Sequence, residues 1–374
     1  MPELAGRILP FRSRREPQRS SVEEARVLAR SYLSTPRDDR SEERIQTVLT
    51  DADCFLALCS ELKERCDAEP AVVWEEASQL YGWLKRCQGT LGLFDERDYF
   101  AGECALTAGN AARLLGKRDE AEIWFDRADA AFRHTVNPAP VLANVSYARL
   151  TLFYDRRQYD RVFDLVTSLA ESFRKLEMTR ERLKCDFLEA MTLKESSRQD
   201  EALTKLLTLQ SDAALATEPK MEAFVVLHCG ELLSSAGRHA EALQCLKQVA
   251  ARESVRTQPL LAAHFKSAMA EAFRQQGLLG HAAEALQGAA EAYAAAGMAT
   301  LEAYLRIVLA ETLIALSRFR EAEWQIAAAL PTIEDQKMVP EGFAAVALLR
   351  EAMRQRQANP EALQALRQHL QATT

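Results

Sequence analysis

Apolar and small side chains recur along the chain at helical spacing. After an anchoring small residue, further apolar residues follow at the fourth and seventh positions, as in Ala242, Leu246 and Val249. This spacing places them on one stripe of a helix. The same pattern returns every 40 or 41 residues, with anchors at Ala121, Val162, Ala202, Ala242, Ala282, Ala322 and Ala362. A period of this length predicts an array of structural repeats.

Two sets of breaks keep the same period and divide each repeat into two helices. One set stands five residues before each anchor, at Gly116, Arg157, Ser197, Gly237, Gly277 and Ser317. The other set falls at 137–140, 177–180, Pro219, Pro259, 297–300 and Pro340. Each repeat is therefore predicted to consist of two helices of roughly 15 to 18 residues joined by short loops.

Small residues also recur in the first helix of each repeat, where they allow close helix packing. Twelve residues before the anchors stand Gly109, Leu150, Ala190, Gly230, Ala270 and Ala310, all small except Leu150. A single helical hairpin cannot bury its apolar stripe, so each repeat must pack against its neighbours. The sequence thus predicts an all-α solenoid built from antiparallel helix pairs.

One segment, LFDERDYFAGECALTAGNAARLLGKRDEAEIWFDRADAAF, shows the repeat most fully. It carries Gly109, Gly116, Ala121, Phe125 and Ala128 in the positions of a known repeat motif. The chain resembles the tetratricopeptide repeat (TPR) family over residues 95–374. The resemblance implies a right-handed α-superhelix that binds proteins or peptides on its concave face. The period of 40 rather than about 34 is similar to the lengthened repeats of bacterial regulatory proteins, including peptide-sensing transcriptional regulators and phosphatases.

The expected domain organisation follows from where the repeats begin and end. Residues 1–20 carry five arginines and form a basic tail that we expect to be disordered. Residues 21–93 are expected to be an N-terminal helical cap or divergent repeat, residues 94–340 six TPR-like repeats, and residues 341–374 C-terminal capping helices. No sharp turn with a basic recognition helix is evident near the N-terminus, so DNA binding is not predicted.

Composition and charge narrow the class of protein. The 374 residues carry a net charge of −7, which argues against a surface built to neutralise phosphates. No stretch has the length of a signal peptide or a membrane span, so the simplest prediction is a cytoplasmic protein without a membrane partner. Eight cysteines lie mostly among helix-forming residues and are expected to be buried, reduced thiols. The spacing of Cys54, Cys59 and Cys66 does not suit a zinc site.

Motifs for catalysis and cofactor binding are missing from the sequence. It contains no Gly-rich phosphate loop, no Gly-x-Ser-x-Gly elbow and no His-Glu-x-x-His pair. We therefore predict a non-enzymatic protein without a cofactor or metal. His228 and His264 fall on first-helix positions that the TPR pattern turns inward, and a general base there would need a hydrogen-bonded partner.

The first helices supply the candidate binding residues, because they line the concave face of a solenoid. Glu231, Glu271 and Glu311 recur eleven residues before their anchors and would form an acidic ladder. This ladder suits a basic peptide; the alternative is that the glutamates pair with Arg274 or Arg306. The full candidate set is Asn110, Arg113, Asn144, Tyr147, Tyr154, Lys184, Met191, His228, Glu231, His264, Glu271, Arg274, Tyr304 and Glu311.

The function predicted from these features is that of an interaction scaffold that holds a peptide or protein segment in its concave groove. The alternative is a regulatory sensor whose solenoid responds to a peptide or small effector. A less favoured alternative is an enzyme with a site where the N-terminal helices meet the array. A protein or peptide partner is expected, nucleic acid is disfavoured, and self-association through the alanine-rich later repeats is left open.

Overall fold

Helices form all the regular secondary structure in the computed structural model, which describes residues 19–35, 52–86, 97–338, 342 and 345–348. The all-α prediction is therefore confirmed. Within these ranges, no helix is long and apolar enough to cross a membrane. The chain divides into two units, Met1–Ser196 and Ser197–Thr374.

Unit 1 contains eight helices in its described part. They are α1 (Arg19–Ser34), α2 (Ala52–Arg65), α3 (Pro70–Arg86), α4 (Arg97–Leu114), α5 (Arg118–Phe132), α6 (Pro138–Asp155), α7 (Tyr159–Lys175) and α8 (Thr179–Glu195). Neighbours in sequence pack on each other, and α4 and α5 are joined by only three residues. Such a short connection makes them an antiparallel pair.

Unit 2 continues the alternation. Its helices are α9 (Gln199–Gln210), α10 (Pro219–Ser235), α11 (His239–Ala250), the single turn α12 (Glu253–Arg256), α13 (Pro259–Gln275), α14 (Leu279–Ala295), α15 (Ala299–Ala315) and α16 (Phe319–Asp335). A 3₁₀ turn, Ala213–Thr217, precedes α10. The first helices α10, α13 and α15 each pack against the second helix of their own repeat.

The predicted turn positions all adopt the left-handed backbone conformation. The φ angles are 74° to 77° at Gly116 and Gly237 and 56° to 62° at Arg157, Ser197 and Ser317. After Gly116, the amide of Lys117 donates to the carbonyl of Ala112 at 2.9 Å, which closes the preceding helix in a Schellman arrangement. The sequence breaks were thus interpreted correctly.

Ser317 tests how much the repeated turn depends on glycine. A non-glycine residue with positive φ is strained by about 1 kcal/mol, and Ser317 is exposed with φ 60°. We expect Ser317→Gly to raise the free energy of unfolding by about 0.5–1 kcal/mol. Gly277, with φ 72°, occupies the equivalent turn, so Gly277→Ser should lower it by a similar amount. Both changes are measured as shifts of the urea midpoint, provided that the dependence of the unfolding free energy on urea keeps the same slope. A lower midpoint for Ser317→Gly than for the wild type would contradict the argument.

Small first-helix residues fit against large residues of the paired second helix. A Cβ added to Gly109 would lie 2.5 Å from Phe125 Cε1, and one added to Gly230 would lie 2.5 Å from Leu246 Cγ. Phe125 and Leu246 are fully buried. The two helices of a repeat therefore approach closely because one of them lacks a side chain at the crossing.

Several predictions from the sequence fall wholly or partly outside the described residues. They include most of the basic tail 1–20, residues 36–51 and 87–93 of the N-terminal cap with Cys87, the break at Pro340, the anchor Ala362 and most of the cap 341–374. The seven cysteines in the described ranges are free thiols, and all but the half-buried Cys245 are buried, as expected.

Candidate functional site

The candidates in unit 1 lie on three first helices. Helix α4 carries Asn110 and Arg113, α6 carries Asn144, Tyr147 and Tyr154, and α8 carries Lys184 and Met191. Most of them are half-buried, which is the state expected of residues that line a binding face. Met191 is buried instead and has little surface to offer a partner.

Arg113 is the most constrained of these residues. Its Nη1 donates to Asp155 Oδ2 at 2.7 Å, which joins α4 to the end of α6. In the described chain, Arg113 Nε and the hydroxyl of buried Thr107 have no hydrogen-bond partner. A buried polar atom without a partner costs free energy unless a ligand or water satisfies it. Thr107 was missed from the sequence, although it precedes Asn110 by one helical turn.

Tyr147 on α6 lies close enough to Arg113 to feel its charge, and Tyr154 lies two turns further along the same helix. Burial raises the pKa of Tyr147, with the Arg113 charge opposing the shift, and burial raises the pKa of Tyr154 to about 12. Both are therefore neutral phenols at physiological pH and offer hydroxyls rather than charge. Lys184 Nζ lies 3.7 Å from Glu181 Oε1, so its charge is partly balanced on α8 itself.

The candidates in unit 2 again lie on three first helices. Helix α10 carries His228 and Glu231, α13 carries His264, Glu271 and Arg274, and α15 carries Tyr304 and Glu311. The side chains of Glu231, Glu271 and Glu311 are 38%, 48% and 55% exposed. Burial between the helices would have removed the ladder as a binding surface, and none of the three is buried.

Each glutamate of the ladder has a basic side chain as a neighbour in the structure. Arg274 Nη2 lies 2.8 Å from Glu311 Oε2, and its Nη1 lies 3.8 Å from Glu271 Oε2. His228 Nδ1 lies 2.9 Å from Glu231 Oε2. Pairing with Arg274 thus occurs, and the carboxylates remain accessible at the same time.

Arg306, the other cation considered from the sequence, has different partners. Its Nε donates to Glu302 Oε1 at 2.8 Å, and its Nη1 donates to Gln325 Oε1 at 2.6 Å. These contacts hold Arg306 against α15 and α16. Arg274 is therefore the arginine to consider as an internal competitor for a cationic ligand.

Unit 2 also contains a cleft of about 490 Å³ between α13, the C-terminal end of α10 and the turn that joins α10 to α11. Its lining residues are Glu231, Ser234, Ser235, Gly237, His239, Ala268, Glu271 and Gln275. Gln275 Nε2 donates to Glu271 Oε1 at 2.7 Å, which holds this carboxylate at the rim. Two of the three ladder glutamates thus face one cleft. Its volume is in the range of small-ligand sites.

His264 has a partner that sequence reasoning did not find. Its Nδ1 lies 2.7 Å from the hydroxyl oxygen of Tyr293, which comes from α14. Burial lowers the pKa of His264, and the nearby Glu231 opposes that shift. Burial also raises the pKa of Tyr293 to about 12. Both side chains are therefore predominantly neutral at pH 7.5.

Three buried thiols, those of Cys66, Cys185 and Cys229, are poorly suited to nucleophilic chemistry. Burial raises the pKa of Cys66 to about 11 and the pKa of Cys185 and Cys229 to about 12, so each is a neutral thiol near pH 7. Within the described residues, no group of His, Cys, Asp and Glu is arranged to hold a metal ion. The candidate residues on the first helices offer a ligand carboxylate, amide, hydroxyl, imidazole and basic groups.

Comparison with known proteins finds similarity of structure only. No protein-family model matches the chain, and no curated protein matches its sequence. The fold is similar to that of a Rap protein solved in complex with competence and sporulation factor, with a TM-score of 0.52. That match is 15% identical and covers 92% of this chain and 99% of the other.

Two further solved structures give similar values. Aspartyl phosphate phosphatase F from Bacillus subtilis has a TM-score of 0.51 at 14% identity, over 93% of this chain and 97% of the other. The Rap conjugation gene regulator of plasmid pLS20, in complex with the Phr* peptide, has a TM-score of 0.51 at 14% identity, over 89% and 96%. At these identities the likeness shows the fold, which is a TPR-like helical repeat.

Proposed function

We propose that this chain is a non-enzymatic regulatory protein that binds a peptide or protein segment on the first-helix face of its repeats. The observation that carries the proposal is the acidic ladder: Glu231, Glu271 and Glu311 are exposed at one register of three first helices. Two of them line the same cleft. Three carboxylates spaced along a surface favour an extended ligand with several cationic groups.

The unit 1 face supports peptide binding in a different way. Asn110, Asn144 and Tyr147 are half-buried on its first helices and carry amide and hydroxyl groups. An extended peptide supplies carbonyl acceptors and amide donors along its length, so these neutral groups can pair with it without charge. We propose that this face recognises peptide backbone, whereas the ladder of unit 2 selects charge.

The structurally similar proteins give this proposal a regulatory setting. One was solved with competence and sporulation factor and another with the Phr* peptide. We infer that this chain has the lengthened, 40-residue type of TPR-like repeat found in bacterial regulators, and that its ligand is a peptide signal or a segment of a partner protein.

A peptide array tests the proposal directly. The purified full chain is applied to an array of random hexapeptides, and bound sequences are scored for lysine and arginine. We expect enrichment of cationic peptides with the wild type and loss of that enrichment in Glu231→Gln/Glu271→Gln/Glu311→Gln, because the attractive charges are removed.

A matched control exists in the second helices of the same unit. Three exposed glutamates there are spaced by the repeat period or twice that period: Glu201, Glu241 and Glu321. Each of them pairs with an arginine three residues earlier in the chain. Their triple change to glutamine alters the net charge equally and should leave the enrichment intact. Selection of acidic or uncharged peptides by the wild type would refute the proposed function.

A further inference from the structure

The hydrogen bond between His264 and Tyr293 joins the exposed face of unit 2 to its interior. Tyr293 is only 3% exposed, and its hydroxyl lies 2.7 Å from His264 Nδ1. The two rings are edge to face, with centroids 5.4 Å apart. The phenol therefore holds the imidazole ring in position from behind.

The burial of Tyr293 decides where the protons of this pair lie. A buried hydroxyl needs an acceptor for its proton, and His264 Nδ1 is the acceptor that the described residues provide. If Nδ1 carried the proton instead, the phenol proton would be left inside the repeat without a partner. Tyr293 therefore donates to Nδ1, and the neutral His264 carries its own proton on Nε2.

The remaining ring nitrogen of His264 is free to act on a ligand. Among the described residues, Nε2 of His264 has no hydrogen-bond partner. This nitrogen is not buried, so it is open to solvent. His264 lies one helical turn before Ala268, which lines the cleft, and close enough to Glu231 to feel its charge. A hydrogen-bond donor thus stands near the Glu231 carboxylate, which can only accept.

We propose that His264 is a specificity-determining residue, whose Nε2–H, fixed by Tyr293, donates to a carbonyl oxygen of a ligand whose cationic group is held by Glu231. This inference rests on the proposed function of the ladder. It implies that the surface beside the cleft prefers a cationic peptide, which has carbonyl acceptors, to a polyamine of similar charge, which has none.

The proton position can be measured without any ligand. Long-range ¹H–¹⁵N NMR spectra of the full chain at pH 7.5 distinguish the two neutral tautomers of histidine, and His264 is assigned by its loss in His264→Gln. We expect the Nε2–H tautomer in the wild type and a mixture in Tyr293→Phe, which keeps the ring but removes the donor. The Nδ1–H tautomer in the wild type would overturn the proposal.

Binding of two probes tests the role in specificity. The probes are a hexapeptide of alternating alanine and lysine and the polyamine spermine, both titrated calorimetrically. We expect His264→Ala to lower the ratio of peptide affinity to spermine affinity about 2- to 10-fold, the value of one hydrogen bond. Tyr293→Phe should lower it less, and His264→Gln should recover part of it, because its amide can donate.

The two levels of the proposal fail in different ways. If neither probe binds the wild type, the charge-selecting ladder is refuted, and the role of His264 in binding with it. If both probes bind and His264→Ala weakens them equally, the ladder stands and the specificity role of His264 is refuted. If His264→Ala binds both probes as tightly as the wild type does, the specificity role of His264 is likewise refuted and the ladder stands.

Discussion

Phe125→Ala is expected to lower the free energy of unfolding by about 3–5 kcal/mol. The ring is fully buried in the core of unit 1 and packs directly over Gly109 of the preceding helix. Its removal leaves a cavity that the glycine cannot fill. Urea unfolding followed by tryptophan fluorescence reports the change, because Trp74, Trp83 and Trp124 all lie in unit 1.

Ile123→Ala provides the matched control on the same helix. Ile123 is 52% exposed, so its truncation should cost no more than about 0.5 kcal/mol. A cost below about 1 kcal/mol for Phe125→Ala, or equal costs for the two variants, would show that the stripe on α5 does not form the core of its repeat.

The complementarity between Gly109 and Phe125 can be tested by a double-mutant cycle. Gly109→Ala alone should destabilise the chain by about 1–3 kcal/mol, because the new methyl group overlaps the ring. In the Phe125→Ala background that overlap is gone, and alanine is the better helix former by about 1 kcal/mol. The same change should then be neutral or stabilising, and additivity of the two costs would refute the complementarity.

This glycine–aromatic pair illustrates what the sequence could predict. Both residues belong to the repeat pattern, so their spacing alone placed them on facing helices. The same holds for Ser317 and Gly277, whose positive φ angles follow from their place before the anchor. Features that depend only on the period were predictable because every repeat imposes the same backbone.

The details of the candidate site depend on contacts that the period does not fix. Tyr293 stands on a second helix, and nothing in the pattern indicates that its hydroxyl would meet His264. Thr107 is an ordinary helix residue until its neighbours enclose it. Arg274 was recognised from the sequence as a candidate partner of the ladder. Its hydrogen bond to Glu311 could not be predicted, because it depends on side-chain rotamers on two different helices.

Charge reversal of the ladder is the second large effect that we expect. Glu231→Lys/Glu271→Lys/Glu311→Lys removes three attractions for a cationic ligand and adds three repulsions. At about 0.5 kcal/mol for each exposed interaction, the total of about 3 kcal/mol corresponds to roughly 100-fold weaker binding. Fluorescence anisotropy of the labelled alanine–lysine hexapeptide measures it.

Two further measurements, the salt dependence of binding and a matched control variant, distinguish binding at the ladder from general attraction of a cation to an acidic protein. Wild-type affinity should fall as salt rises, and the affinity of the reversed variant should rise. Charge reversal of Glu201, Glu241 and Glu321 changes the net charge equally on the second helices. At 0.15 M salt the Debye length is about 8 Å, so this control should alter the affinity by less than about threefold.

Arg274 decides between a ligand surface and an internally paired one. The arginine is the cation that the structure places between Glu271 and Glu311, so it occupies the position of a ligand cation. If the ladder binds ligand, Arg274→Gln should strengthen binding of the hexapeptide about 2- to 5-fold, because both carboxylates lose a competitor. If the glutamates serve only to pair with Arg274, neither this variant nor the charge reversal will change the affinity, and both will lower the unfolding midpoint instead.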